Sequence, residues 1–244
     1  YIMRYEILLG YLKAFNHMDI LKTLYVNFKC LPYKQAIKFP IFIGKGTELR
    51  NISGRIIFDC PIKTGLFTIG IHYMFNDKRG NRSVFQNYGK IVVKGKVLLH
   101  TGTVVLCKKN GEIILGGKNT LGVNGMIVAK RKISIGYNVD ISWNVQIIDT
   151  DFHYFMNNLN GSISRNTSSI FIGDNVWIAN NVSISKGGGV PNNSIVSSNT
   201  LVNKDFLDNN SILLAGIPAK IVRKNVTRVF DTFLENKYDA EFVY

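Results

Sequence analysis

The residues best placed to do chemistry lie in one stretch, Ile147-Ile148-Asp149-Thr150-Asp151-Phe152-His153. A neutral imidazole, with an ordinary pKa of about 6.5, is suited to take a proton from a hydroxyl at neutral pH. A carboxylate bonded to its other nitrogen fixes the tautomer and stabilises the imidazolium that forms. Asp149 and Asp151 are both candidates for that task, since strand alternation from Ile147 puts them on one side of the chain. The other histidines, His17, His72 and His100, are scattered, and Cys30, Cys60 and Cys107 follow no metal-binding spacing, so no metal is expected. Neither a cysteine nor a serine stands as an activated nucleophile near His153, so no covalent enzyme intermediate is expected.

The elements that must position this stretch announce themselves by period. Ile172, Ile178, Ile184, Val190, Val196 and Val202 recur every sixth position. A helix returns its apolar face at three or four residues and a half-buried strand at two, so a period of six fits a hexapeptide solenoid, in which each unit is a short strand and a corner. The register extends upstream through Ile135, Ile141 and Ile147, and more loosely through Leu115, Leu121, Ile127 and Ile133, with a fault between Ile133 and Ile135. Small or β-branched residues, Val176, Val182, Gly188, Ser194 and Thr200, fall four positions after the ladder residues and suit tight corners. Between Ile147 and Ile172 the polar run Asn157 to Ser169 marks a loop, placed at 153–171 and expected to be functional.

The predicted architecture is all-β, one solenoid with a helix at each end. Residues 1–40 form a helical cap and connector, with Asp19 as N-cap and Ile20, Leu21, Leu24 and Phe28 on one apolar face. Residues 41–223 form the coil domain, irregular over 41–114 and regular over 115–202. In the tail, 224–244, the spacing of Val226, Val229, Phe230 and Phe233 predicts a helix over Thr227 to Asn236, packed on the solenoid or a neighbouring subunit. No stretch reaches the roughly 18 apolar residues of a membrane span. Tyr1 to Leu12 is apolar but interrupted by Arg4 and Glu6, unlike a secretory signal, and Met3 is a candidate start. Three widely spaced cysteines suit a reducing cytoplasm. The net charge of +14 implies an anionic partner. Its cations are scattered and accompany no nucleic-acid-binding module, which argues against nucleic acid and leaves weak attraction to an anionic membrane surface open. The run Lys130 to Lys132 reads as a corner or edge feature.

The run from Ile172 through Gly173, Asp174, Asn175, Val176, Trp177, Ile178 and Ala179 to Ile184, with Val202 to Asp205 and Ala215 to Arg223, closely resembles the hexapeptide-repeat acyltransferases. Within them it is similar to the galactoside-type sugar and polysaccharide O-acetyltransferases. The resemblance, over Leu115 to Arg223, implies a left-handed parallel β-helix, a homotrimer, and acetyl-CoA between adjacent subunits. It implies a saccharide hydroxyl as acceptor, in capsule, lipopolysaccharide or exopolysaccharide synthesis, and His153 as general base. Asn124 falls at an acceptor-binding position, and Trp177 matches a tryptophan that walls the site or packs at a subunit interface. Ala179, Asn180, Ser197 and Ser198 occupy the small-residue positions along the pantetheine channel; Lys204, Lys220 and Arg223 match basic positions near the phosphates. Two departures stand out: Ser197-Ser198-Asn199 where many relatives have Gly-Ala-Gly, and Gly187-Gly188-Gly189 in place of a regular unit. Serine and sugar-nucleotide N-acetyltransferases share the fold and co-substrate, although the former usually carry a large helical N-terminal domain.

Overall fold

The computed structural model describes residues 17–71 and 81–242. Tyr1 to Leu12 and His72 lie outside the described residues. From Ile41 to Val202 the chain visits three parallel sheets in rotation, and it then returns to the first. The first face receives Ile41–Ile43, Phe67–Ile71, Val97–His100, Asn119–Leu121, Asp140–Ile141, Trp177–Ile178, Ile195–Val196 and Ile212–Ala215. The second receives Glu48–Leu49, Val84–Asn87, Val104–Cys107, Met126–Ala129, Gln146–Ile148, Ser183–Ser185 and Leu201–Val202. The third receives Arg55–Phe58, Lys90–Val93, Glu112–Leu115, Lys132–Ile135, Ile170–Ile172 and Gly189–Val190. The expected parallel solenoid is therefore present.

The register shows where the six-residue unit is obeyed. Ile178 pairs with Val196 and Ile184 with Val202, an advance of 18 residues and three units per turn of the coil. Upstream, Leu121 pairs with Ile141, a turn of 20, and Ile69 with Leu99, a turn of 30. The whole ladder from Ile172 to Val202 is buried, as are Val176, Val182, Ser194 and Thr200 at the corners. The fault at Ile133/Ile135 has a simple cause: both point inward from one four-residue strand, at the period of two that strands require.

Two of the three corners are held by asparagine. Asn138, Asn175 and Asn193, between the third and first faces, and Asn124, Asn144, Asn181 and Asn199, between the first and second, all have positive φ. That conformation costs most L-residues roughly 1–2 kcal/mol, and asparagine tolerates it best after glycine. Their amides bond along the coil axis, Asn138 to Asn175 to Asn193 to Asn210 at 2.8, 3.1 and 3.1 Å, and Asn124 to Asn144 to Asn181 to Asn199 at 3.4, 3.1 and 3.2 Å. No such ladder joins the second face to the third among the described residues.

Helix α1 (Ile20–Cys30) begins where expected, with the Asp19 carboxylate accepting from Lys22 N–H at 3.1 Å. Its packing is the reverse of the expectation. Ile20, Leu21, Leu24 and Phe28 are exposed, and the buried face is Thr23, Val26 and Asn27. The surface being covered is the free edge of Ile41–Ile43, which needs hydrogen bonds more than apolar area. Asn27 Nδ2 donates to Ile41 O at 2.7 Å, Ile41 N–H donates to Asn27 Oδ1 at 3.2 Å, and Ile43 N–H donates to Thr23 Oγ1 at 3.0 Å. A short helix α2 (Tyr33–Ala36) follows. At the other end the strand Lys220–Lys224 turns back antiparallel on Ile212–Ala215. The C-terminal helix α3 spans Thr232–Glu241, capped by Asp231, rather than Thr227 to Asn236, and buries none of its residues. Residues 226–230 are not helical because they lie along the coil: Val226 N–H donates to Ser211 O, and the Arg228 guanidinium sits 5.5 Å from the Trp177 ring and 4.9 Å from Phe230.

Candidate active site

The coil is interrupted once over this half of the chain, at the corner without an asparagine ladder. The chain leaves the second face after Ile148 and re-enters the third at Ile170, so the excursion is 149–169 rather than 153–171. It forms an antiparallel arm in which Phe155–Met156 pairs with Ile163–Ser164, closed at its base by a bridge between Thr150 and Thr167. The arm shows Phe152, Tyr154, Phe155, Met156, Leu159 and Ile163 to solvent.

His153 stands on the outgoing limb of this arm, exposed, with its backbone N–H donating to Asp151 O at 2.7 Å. No hydrogen bond joins its imidazole to Asp149 or Asp151, and the two carboxylates have other partners. Alternation does carry Asp149 inward, and it is fully buried. There its Oδ1 accepts from Lys130 N–H at 2.7 Å, and its Oδ2 accepts from Arg131 and Lys132 N–H at 2.8 and 2.7 Å. Burial pushes the carboxyl above the usual aspartate value, against the pull of those three N–H groups. Asp149 thus fixes the corner at Lys130 to Lys132. Asp151 lies 2.5 Å from Lys186 Nζ.

The expected channel residues gather at a different corner, between the first and second faces. Ala179 is buried, and Ser198 Oγ donates to Asn180 Oδ1 at 2.8 Å, one turn of the coil away. Ser197 lies in the same turn, just after Ile195–Val196. A groove of about 280 Å³ runs beside them, lined by residues including Ser183, Thr200 and Ile217. Lys220 and Arg223 lie on the antiparallel strand, opposite Ala215 and Leu213. Lys204 is separate: it sits on the His153 corner, with Nζ 5.1 Å from the Phe206 ring.

The two residues expected to contact the acceptor lie on the first face and at its corner with the second. Asn124 belongs to the corner ladder, with φ of 59° and its amide bonded to Asn144 and Asn81. Trp177 lies on the outside of the first face, covered by Arg228, whose guanidinium also pairs with Asp140. Neither shares a corner with His153 in its own chain.

Beside the arm is a cleft of about 510 Å³ that includes Arg131, Arg165, Thr167, Ser168, Ser169 and Lys186 in its lining. Spacing alone does not mark these residues: Arg131 is one cation of a basic run and Arg165 lies in the polar run of the excursion, and the arm's return limb puts both on one cleft. The thiols offer no rival nucleophile, since burial pushes Cys30 and Cys107 up to about 11.

No family model matches the sequence. A crystal structure of the polysialic acid O-acetyltransferase OatWY superposes with a TM-score of 0.52 at 24% identity, covering 83% of this chain and 95% of that one. The hexapeptide-repeat-containing acetyltransferase VCA0836 from Vibrio cholerae is 25% identical, with a TM-score of 0.45, over 53% of this chain and 71% of that one. With three parallel sheets visited in rotation, and with the repeat that produces them, the chain shares the fold of OatWY. The chain belongs to the same family as an uncharacterized 24.8 kDa protein in the cps region of Klebsiella pneumoniae, 33% identical over 202 residues, which span 83% of this chain and 87% of the relative.

Proposed function

We propose that this protein is an acetyl-CoA-dependent O-acetyltransferase that acts on a saccharide hydroxyl during capsule, lipopolysaccharide or exopolysaccharide synthesis. It works in the cytoplasm as a homotrimer of closed, left-handed β-helices. The observation that carries the reading is the separation of His153 from the channel residues. Neighbouring corners are one face apart, roughly 15–20 Å for a side of five or six residues, whereas reacting atoms must approach to about 3–3.5 Å. One chain therefore does not bring its own base to its own channel. Two chains do, when the His153 corner of one packs against the Ala179, Asn180, Ser197 and Ser198 corner of the next.

Acetyl-CoA supplies the acetyl group as a thioester. His153 takes the acceptor hydroxyl proton as the oxygen attacks the thioester carbonyl, and returns that proton to the departing sulfur. Asp151, two residues away and not locked into a backbone turn, takes the orienting role in place of Asp149. The groove beside Ser183, Thr200 and Ile217 suits a pantetheine arm, and Lys204, Lys220 and Arg223 suit the phosphates. Incubation of the full chain with acetyl-CoA and a panel of glycans and nucleotide sugars, read by mass, tests the reading. The expected result is an acetyl increment on a base-labile ester. Transfer to serine or to an amino sugar, or no transfer at all, overturns it.

A further inference from the structure

The cleft beside the arm carries charge that its own chain does not neutralise. Lys186 is compensated, by Asp151 and by Arg165 O at 3.0 Å. Arg131 and Arg165 make no side-chain hydrogen bond or ion pair among the described residues, and both are exposed on the cleft wall. Asp205 is the sole carboxylate in the lining, and its Oδ1 already accepts from Leu207 N–H at 2.8 Å. Two guanidinium groups held on one concave surface repel each other, and an anion seated between them relieves that repulsion.

The site is also built. Arg131 sits on a corner whose three successive N–H groups are gripped by the buried Asp149, so its backbone is fixed from behind. Arg165 comes from the return limb of the arm that bears His153, just before the bridge at Thr167. Thr167, Ser168 and Ser169 also line the cleft, and the exposed ring of Phe171 offers a flat apolar surface. A volume of about 510 Å³ falls within the usual range for small-ligand sites, roughly 300–1,000 Å³. Lys204, Lys220 and Arg223, assigned above to the phosphates of CoA, do not line it.

We infer that this cleft binds an oxyanion carried by the acceptor, so that the substrate is an acidic saccharide whose carboxylate or phosphate is forked by Arg131 and Arg165. The planar guanidinium matches either group with two parallel hydrogen bonds, and the hydroxyls and ring suit the attached sugar. The inference rests on the O-acetyltransferase reading for its substrate, but its ligand chemistry can be measured without acetyl transfer.

The test is equilibrium binding, without acetyl-CoA, of uronate- and sialate-containing oligosaccharides, of their carboxyl-reduced forms, and of glycosyl phosphates of neutral sugars. Wild-type protein is expected to bind at least one anionic class at least ten-fold more tightly than the reduced forms, and the class preferred identifies the source of the oxyanion. R131Q/R165Q should lose that preference while keeping its melting temperature and its affinity for acetyl-CoA; in turnover, the KM for the acidic acceptor should rise about ten-fold. Equal binding of anionic and reduced glycans overturns the inference, as does a double variant that loses acetyl-CoA instead of glycan. Anion-selective binding with no acetyl transfer would instead refute the enzymatic reading and leave the cleft's ligand class standing. Transfer to neutral glycans without anion selectivity would do the reverse.

Discussion

The two asparagine-held corners and the corner between the second and third faces are built from the same repeat and do different work. At the first two, the turns from Asn124 and Asn138 onward repeat a left-handed asparagine and bond it to the next, so an inserted residue there breaks a continuous ladder. At the third, Lys130 to Lys132, the arm, Gly187 and Lys204 succeed one another with no shared side-chain device. The lesson is that regularity and chemistry are separated around the coil: ladders fix two edges, and the unladdered edge accepts an excursion, a histidine and surplus cations.

The sharpest way to break this comparison is at the arm. His153→Ala is expected to lower acetyl transfer by roughly 10²–10⁴-fold, the usual contribution of a general base, with acetyl-CoA affinity retained. Initial rates and calorimetric binding measure the two; turnover within a few-fold of wild type would remove the base from this corner. The ladder side predicts a stability effect. Asn193→Val puts a β-branched residue at a φ of 55° and removes two ladder bonds, a loss of about 2–3 kcal/mol. Asn193→Gly restores the backbone freedom and should recover about half of that in denaturant melts.

Smaller effects test the division of labour between corners. Lys204→Ala and Arg223→Ala, combined, should weaken acetyl-CoA binding about ten-fold, each charge-assisted contact being modest at an exposed site. If only Arg223 matters, Lys204 belongs with the acceptor cleft on its own corner. The smallest expected effect is on the third face, where Glu112 bridges Lys90 at 2.8 Å and Lys132 at 3.3 Å. The hydrogen bond from Lys90, with help from Lys132, holds the Glu112 carboxyl below its ordinary 4.5. Its stabilisation is thus present above about pH 4.5 and lost as pH falls through the lower folded value. At these partly exposed positions it is below about 1 kcal/mol. Glu112→Gln should therefore melt slightly lower than wild type at pH 7 and the same in acid.

Much of the scaffold was legible because a repeat of six leaves its mark on every turn: the buried ladder, the corner residues and the excursion after Ile147 all follow from spacing. The asparagine ladders are legible too, at 18-residue intervals from Asn175 to Asn193 and from Asn181 to Asn199. What stayed hidden depended on the partner and not on the residue. Alternation placed Asp149 inside but could not say that three N–H groups of the preceding turn awaited it. Hydrophobic spacing put the apolar side of α1 inward because it assumed an apolar neighbour, whereas the neighbour was a bare strand edge. Arg131 and Arg165 are 34 positions apart, and the return limb of the arm puts them on one cleft.

That bare edge has a consequence for the length of the molecule. A coil made by repetition has no inherent last turn; its terminal strand offers the same donors and acceptors that every internal strand has already used, and a second molecule could continue the series. Asn27 ends it by presenting a side-chain amide where the next peptide group would sit. The coil is thus ended at this side by Asn27 and Thr23 on one helix, and its resistance to end-to-end growth depends less on how greasy that helix is than on how faithfully it counterfeits a strand.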